Sequence, residues 1–142
     1  MSENTPFANP NDEKVRDILE QMKRIAVVGL SAKEDRASHG IARFLVGAGF
    51  EVVGVNPVLK EPVLGLEIYP TLKDVPGKVD VVNIFRRSDE VGPIVAEAIE
   101  RGDKCVWMQE EVINLEAAEM AAEAGLDVLM NVCLYKEWLR LK

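Results

Sequence analysis

The stretch "VVGLSAKEDRASHGIARFL", Val27 to Leu45, joins an apolar run to a glycine, a polar loop and an apolar pattern of helical spacing. A strand that passes through a glycine into a loop and then a helix is the opening unit of parallel nucleotide-binding sheets. The dinucleotide fingerprint G-x-G-x-x-G is nevertheless missing, because Leu30 and Ser31 follow Gly29 and the next glycine is Gly40. The stretch therefore predicts a strand, a loop and a helix, and leaves open what the loop holds.

Beyond this stretch, apolar strands alternate with helical patterns along the chain. The predicted strands are residues 24–29, 51–56, 78–85, 104–109 and 126–132, with helices near 39–47, within 89–101 and near 114–124, and a proline-containing loop after the second strand. Runs so rich in Val and Ile are typical of strands buried on both faces, and their alternation with helices indicates parallel crossovers. We therefore expect an α/β fold with a doubly wound parallel sheet of five strands in three layers.

The two ends of the chain carry further helical signals. The 142 residues suit a single domain, residues 1–142, whose residues 1–10 we expect to form a loosely ordered start. Asn9 is predicted to cap a leading helix whose first position is Pro10. Near the other end, Tyr135 and Trp138 are predicted to pack a terminal helix or a subunit contact.

Composition and charge exclude several classes of partner. The net charge is −7 and the sequence pI is about 4.8, which argues against nucleic acid, since that affinity comes mainly from Lys and Arg. No apolar run approaches the roughly 18 residues that a membrane helix needs. The opening "MSENTPFANPNDEK" has neither the basic nor the apolar region of a secretory signal, so we expect a cytoplasmic protein.

The chain has two cysteines and one histidine, too few for a common zinc site or a disulfide framework. Cys105 lies within an apolar strand and is predicted to be core. Cys133 follows the last strand, where a reactive thiol is conceivable, although most unpaired cysteines are small buried apolar residues. We therefore predict no metal ligands and no catalytic residues.

Positive charge is concentrated after the strands, which is where ligands bind in open parallel sheets. Lys33, Arg36 and His39 lie in the loop after the first strand, and Arg86 follows the third. Ser38 is predicted to cap the helix that opens there, where a phosphate would meet free N–H groups and the positive end of the helix dipole. The alternative is that the loop cations are merely exposed to water, or that the two arginines after the third strand neutralise the acids at positions 89 and 90.

The end of the second strand reads Val55-Asn56-Pro57, where a nicotinamide dinucleotide site usually has Asp or Glu for the ribose hydroxyls. NAD is therefore the less favoured ligand. Pro57 forms either a rigid apolar wall for a flat base or merely the end of the strand.

His39 fits anion binding better than catalysis, because no nucleophile or carboxylate partner is fixed by the sequence.

Six motifs occur in the order seen in one family: "VVGLSAKEDRASHGIARFL", "GVNP", "LGLEIYPTLKDVP", "VDVVNIFRRSDEV", "KCVWMQ" and "AGLDVLMNVC". Over residues 13–140 the chain resembles the small stand-alone CoA-binding domain proteins, which are similar to the amino-terminal domain of the succinyl-CoA synthetase alpha subunit. The resemblance implies a Rossmann-like domain that cradles coenzyme A or acyl-CoA at the strand ends. It places the phosphates on the first loop and the adenine near the turns after the second and third strands.

The resemblance also implies the residues of the site. The phosphate loop would consist of Gly29, Ser31, Lys33, Arg36, Ser38 and His39, the nucleotide wall of Asn56 and Pro57, and the remaining rim of Phe85, Arg86 and Gln109.

Three functions remain open at this stage. The first is a non-catalytic CoA or acyl-CoA binding module. The second is a small enzyme that acts on a thioester or nucleotide through His39 or Cys133. The third is a regulatory subunit with CoA as effector, forming a homodimer or binding another protein.

Overall fold

The computed structural model describes residues 7–141, in which β-strands and α-helices alternate along the chain. The strands are β1 (Arg24–Val28), β2 (Glu51–Val55), β3 (Ile68–Tyr69), β4 (Val81–Ile84), β5 (Cys105–Met108) and β6 (Asp127–Leu129). The helices are α1 (Asp12–Gln21), α2 (Ala37–Gly47), α3 (Val91–Arg101), α4 (Leu115–Glu123) and α5 (Leu134–Leu141), with 3₁₀ turns at Leu72–Asp74 and Ser88–Glu90.

All neighbouring strands of the sheet are parallel, in the order β3-β2-β1-β4-β5-β6. The chain leaves β1 towards one edge of the sheet and returns to its other side at β4, so strand order reverses between β1 and β4. This is the Rossmann arrangement, and the predicted parallel α/β fold is confirmed. The ends of the three central strands meet in register, because Val28 is opposite both Val55 and Ile84.

The prediction of five strands is wrong, because β3 adds a sixth at the edge of the sheet. It has only two residues, half-buried, in the segment that the sequence predicted as a loop. Its pairing consists of backbone bonds, including Gly54 N–H to the Glu67 carbonyl at 3.0 Å and Asn56 N–H to the Tyr69 carbonyl at 2.9 Å. A strand too short to show a side-chain period leaves no pattern in the sequence.

Successive residues of each strand point to opposite faces of the sheet, and helices cover both faces. In β1, Ile25 and Val27 join a core with residues of α1, α2 and α5. Ala26 and Val28 join a second core with residues of α3 and α4. The strands are therefore buried on both sides, as their continuous apolar sequences predicted.

The leading helix begins at Asp12, two residues later than predicted, and Asn11 rather than Asn9 is its cap. The Asn11 side chain accepts a hydrogen bond from Lys14 N–H at 2.9 Å. Asn9 instead binds the backbone of Met130, with its amide donating to the carbonyl and its oxygen accepting from the N–H. Of the predicted loose start, residues 1–6 lie outside the described residues, whereas Phe7 packs against the core.

The terminal helix α5 packs against α2 through aromatic rings, which agrees with one of the two alternatives that the sequence left open for Tyr135 and Trp138. Phe44 contacts both Tyr135 and Trp138 edge-on, with ring centroids 4.7 and 5.9 Å away, and Phe50 also meets Trp138 at 5.6 Å. Within residues 7–141, no helix has the length and apolar character needed to cross a membrane.

Candidate functional site

Gly29 forms the turn at the end of β1, where strand order reverses. Its φ is 91°, in the left-handed region that favours glycine. A Cβ atom at this position would lie 2.8 Å from the Phe85 carbonyl oxygen and 3.1 Å from Cδ of Arg86. The close approach of the β1 and β4 ends therefore depends on the absence of a side chain here.

A cleft of about 420 Å³ opens at these strand ends. Among the predicted site residues, Gly29, Pro57 and Arg86 line it together. Apolar walls come from the strand ends, from the segment that follows β3 and from the first turn of α3, namely Val28, Val55, Pro70, Leu72, Pro93 and Ile94. This is the crevice in which open parallel sheets bind their ligands.

The charges of the cleft are mixed rather than purely positive. Asp89, Glu90 and Glu97 also line it, and Arg86 forms an ion pair with Glu90 at 3.1 Å. Arg87 pairs with Asp89 at 2.9 Å on the exposed surface. The arginines after β4 therefore neutralise the acids that follow them, which is one of the alternatives that the sequence left open.

The loop between β1 and α2 is held by its two serines. Ser31 N–H donates to Ser38 Oγ at 3.0 Å, and Lys33 N–H donates to Ser31 Oγ at 3.1 Å. The prediction that Ser38 caps α2 is wrong. The helix begins at Ala37 with Arg36 in the cap position, so Ser38 is already helical and its hydroxyl accepts from the loop instead.

The start of α2 offers unused hydrogen-bond donors. Arg36 provides no side-chain cap, whereas Asn11 and Asn114 cap α1 and α4. The first-turn N–H groups of α2, on residues 37–39, have no hydrogen-bond partner among the described residues. Lys33 and Arg36 beside them are exposed and form no ion pair within the described part of the chain. Free amides at the helix start and two cations without an ion pair favour an anion here, against the opposing charge of Glu34 and Asp35 in the same loop.

Asn56 ties this loop to the turn after β2. Its amide donates to the Leu30 carbonyl at 2.8 Å, and its Oδ1 accepts from the N–H groups of Val58 and Leu59 at 2.8 and 3.2 Å. The side chain is thus already engaged on both sides. Its contribution to a nucleotide wall is to hold Pro57 and the loop in place.

His39 is buried, with 5% of its surface exposed, in the first turn of α2. Its Nδ1 has no hydrogen-bond partner among the described residues. A buried polar atom without a partner costs roughly 1–3 kcal/mol, so a ligand or water that reached it would relieve that cost. No described nucleophile is hydrogen-bonded to this nitrogen.

Phe85 and Gln109 contribute in different places. Phe85 is partly buried against the core under α2, and its carbonyl faces Gly29. Gln109, at the end of β5, instead lines a second cavity together with Cys133. The structure therefore brings Gly29, Pro57 and Arg86 to one cleft, and places Gln109 in another.

Two groups of cleft residues were missed by the sequence analysis. Pro70 and Thr71 follow β3, so they went unassigned when that strand went unrecognised. Glu97 lies in α3 and reaches the cleft only because that helix packs beside it. The dipeptide Ile68-Tyr69 before Pro70 was the one available signal, since proline often ends a strand. Among the described residues, no three His, Cys, Asp or Glu side chains are placed to hold a metal ion.

Comparison with known proteins gives consistent results. The sequence profile of a family described as CoA binding domain matches residues 23–138. The chain is 39% identical over 126 residues to the uncharacterized protein YneT of Bacillus subtilis (strain 168), covering 89% of this chain and 93% of that protein. A hypothetical protein from Pyrococcus horikoshii OT3 superimposes with a TM-score of 0.90 at 39% identity, covering 99% of each chain.

A larger enzyme contains a similar unit. The dinucleotide-forming acetyl-coenzyme A synthetase 1 of Ca. Korarchaeum cryptofilum, solved with phosphate and ADP, matches with a TM-score of 0.64 and 28% identity. The match covers 84% of this chain but 31% of that one.

Proposed function

Because the chain belongs to the CoA binding domain family, we propose that it binds coenzyme A or acyl-CoA at the carboxyl edge of its sheet without catalysing a reaction on it. In this proposal the ligand's phosphates lie at the start of α2 and its base lies in the cleft between the ends of β1 and β4. The observation that carries the proposal is a cleft at the ends of β1 and β4, from which the chain runs through Gly29 to a helix start whose first-turn N–H groups have no partner within residues 7–141.

The cleft suits a purine base on physical grounds. Pro57, Val55 and Ile94 give it apolar surfaces against which a flat ring packs. Glu97 and Glu90 supply carboxylate oxygens, which accept hydrogen bonds from an exocyclic amino group such as that of adenine. An acidic wall opposes a phosphate, so the proposal places the phosphates at the free N–H groups of the start of α2.

The end of β2 favours CoA over NAD. Nicotinamide dinucleotide sites present a carboxylate there to the ribose hydroxyls. Here Asn56 stands at that place, with its Oδ1 already accepting two backbone N–H groups. NAD therefore remains the weaker candidate.

Two observations support binding rather than catalysis. Neither His39 Nδ1 nor the Cys133 thiol is hydrogen-bonded to a described side chain, so the described residues contain no nucleophile–base pair built on either of them. The enzyme alternative predicts turnover of acyl-CoA that is lost in His39→Ala or Cys133→Ser.

Titration calorimetry of the full chain with CoA, acetyl-CoA and NAD tests the proposal. We expect CoA and acetyl-CoA to bind, and Lys33→Gln and Arg36→Gln, each as a single variant, to weaken binding about tenfold or more, because a charge-assisted contact contributes roughly 1.5–3 kcal/mol. Lys23→Gln is the matched control, since Lys23 is an exposed cation beside the opposite edge of the sheet.

The proposal fails if NAD binds and neither CoA nor acetyl-CoA does. An equal loss of affinity in Lys23→Gln would show that only overall charge matters. If the wild-type chain releases free thiol from acetyl-CoA and His39→Ala does not, the enzyme hypothesis is favoured over the binding module.

A further inference from the structure

A second cavity, of about 460 Å³, lies between the starts of α2 and α5. Ala37 and Gly40, in the first turns of α2, form part of its wall, so it adjoins the proposed phosphate site directly. Ile41, Phe44 and Tyr135 give it an apolar and aromatic lining. A ligand anchored by phosphates at the start of α2 can therefore extend an arm into this cavity.

Gln109 presents an unused donor to the cavity. The residue exposes 5% of its surface, and its Oε1 accepts from Asn83 Nδ2 and Leu134 N–H, each at 3.4 Å. Its Nε2 has no hydrogen-bond partner among the described residues and is not fully enclosed by protein. An amide held in this way suits a carbonyl oxygen that enters from the cavity.

The two cysteines have opposite environments. Cys133 is half-buried and lines the cavity, immediately before α5, where its carbonyl accepts from Glu137 N–H at 3.0 Å. Cys105 is enclosed in β5, and burial raises the pKa of its thiol. A thiolate is the reactive form, so Cys105 is inert and serves as an internal control.

Lys136 follows Cys133 by three residues, in the first turn of α5. It binds Glu110 at 2.9 Å, and hydrogen bonding and charge from Glu110 raise the pKa of Lys136, with a smaller contribution from the Cys133 thiol. The backbone N–H groups of Tyr135 and Lys136 also have no partner among the described residues. A sulfur anion at the start of α5 would therefore have free backbone donors and the Lys136–Glu110 ion pair beside it.

We propose that Cys133 captures the thiol end of bound coenzyme A covalently, as a mixed disulfide formed by exchange with the disulfide of CoA. This inference depends on the proposed function. The pantetheine arm of CoA carries amide carbonyls for Gln109, methylene groups for the apolar wall, and a terminal sulfur that meets Cys133.

The exchange balances without a further reactant. Cys133 Sγ, as thiolate, attacks one sulfur of the CoA disulfide. The Sγ–S bond forms as the original S–S bond breaks, and the second CoA leaves as a thiolate that takes up the proton lost by Cys133. The CoA disulfide is thereby reduced and Cys133 is oxidised.

Intact-mass time courses of the full chain with low concentrations of CoA disulfide, or of 2-hydroxyethyl disulfide, test the inference. We expect one CoA adduct per chain, formed at least about tenfold faster than the hydroxyethyl adduct, because a bound reactant is present at high effective concentration. Cys133→Ser should form no adduct, whereas Cys105→Ser should react like the wild type. Gln109→Leu and Lys33→Gln should slow the CoA reaction and leave the hydroxyethyl reaction unchanged.

Calorimetry of Cys133→Ser with CoA separates the two proposals. If CoA binds but CoA disulfide labels Cys133 no faster than 2-hydroxyethyl disulfide, covalent capture is overturned and the binding function stands. Labelling of Cys105 at a comparable rate also overturns it. If CoA does not bind at all, both proposals fall.

Discussion

Gly29 combines two constraints that the sequence shows only as one letter. The residue lies at the end of a buried strand, adopts a left-handed φ of 91°, and leaves room for the Phe85 carbonyl. Either constraint alone disfavours a side chain. Together they make this position decide the shape of the cleft.

Gly29→Ala is expected to lower the free energy of unfolding by about 2 kcal/mol or more, because a left-handed Ala costs roughly 1–2 kcal/mol before the 2.8 Å contact with backbone is counted. Urea denaturation measures it. Gly47→Ala is the control, since Gly47 closes α2 with nothing within 4 Å of its Cβ position. Equal effects of the two substitutions would contradict this account.

Ser38 and Asn56 show how a residue's identity and its role separate. Ser38 is of a residue type that often caps helices, yet its hydroxyl accepts a hydrogen bond from Ser31 N–H instead. Asn56 marks the place of a ribose-binding acid, yet it holds the loop at Leu30. Short polar side chains bind whichever backbone group lies nearest, and folding decides which group that is.

At the scale of elements, α5 is part of the core rather than an appendage. Leu134 and Leu141 are buried, and the aromatic rings of α5 pack on those of α2 and the following turn. Deleting residues 134–142 would therefore expose the core, so the effect of this deletion on oligomeric state would not test whether α5 forms a subunit interface. Leu139, 59% exposed, is the better position for that test.

Trp138→Ala is expected to destabilise the fold by about 2–3 kcal/mol, somewhat less than the 3–5 kcal/mol of a fully buried Trp, because its ring is half-buried against Phe44 and Phe50. Thermal unfolding followed by circular dichroism measures it. Leu139→Ala on the same helix should change stability by no more than about 0.5 kcal/mol. A similar loss in both variants would mean that α5 contributes helix propensity rather than packing.

Across the whole molecule, the charges are arranged differently at the carboxyl and amino ends of the parallel strands. At the carboxyl ends, Lys33, Arg36 and the first-turn amides of α2 have no partner within residues 7–141. At the amino edge, Asp80 Oδ2 accepts from the N–H groups of Lys23 and Arg24, each at 2.9 Å, and Asp80 Oδ1 lies 3.5 Å from Lys104 Nζ. The Asp80 carboxylate thus connects the starts of β1, β4 and β5.

This carboxylate makes stability depend on pH. Burial acts to raise the pKa of Asp80, but the backbone hydrogen bonds and the charge of Lys104 outweigh it and lower the pKa. The folded value therefore lies below the unfolded one, so the stabilisation is complete above the ordinary carboxyl range of roughly pH 4 and is lost as pH falls below it.

Asp80→Asn is expected to reduce stability at pH 7 and to flatten the loss of stability below about pH 4. Unfolding free energies measured by urea between neutral and acid pH check this. Glu119→Gln, an exposed change on α4, should leave the pH dependence of the wild type. An unchanged slope in Asp80→Asn would assign the acid sensitivity to other groups.

The parallel α/β fold follows from local sequence patterns, because continuous apolar runs such as residues 25–28 require burial on both faces. The same patterns also determined the strand ends at which Gly29, Pro57 and Arg86 meet, since parallel strands bring their carboxyl ends to one edge. The order of six motifs was enough to indicate the family that the profile match then showed.

β3, the cap of α2 and the position of Gln109 outside the cleft depend instead on tertiary contacts. β3 exists because two residues find free backbone groups on β2, and no side-chain period records that pairing. Glu97 and Cys133 reach their cavities through the packing of α3 and α5. Such placements depend on contacts between residues far apart in the chain, which local sequence patterns do not encode.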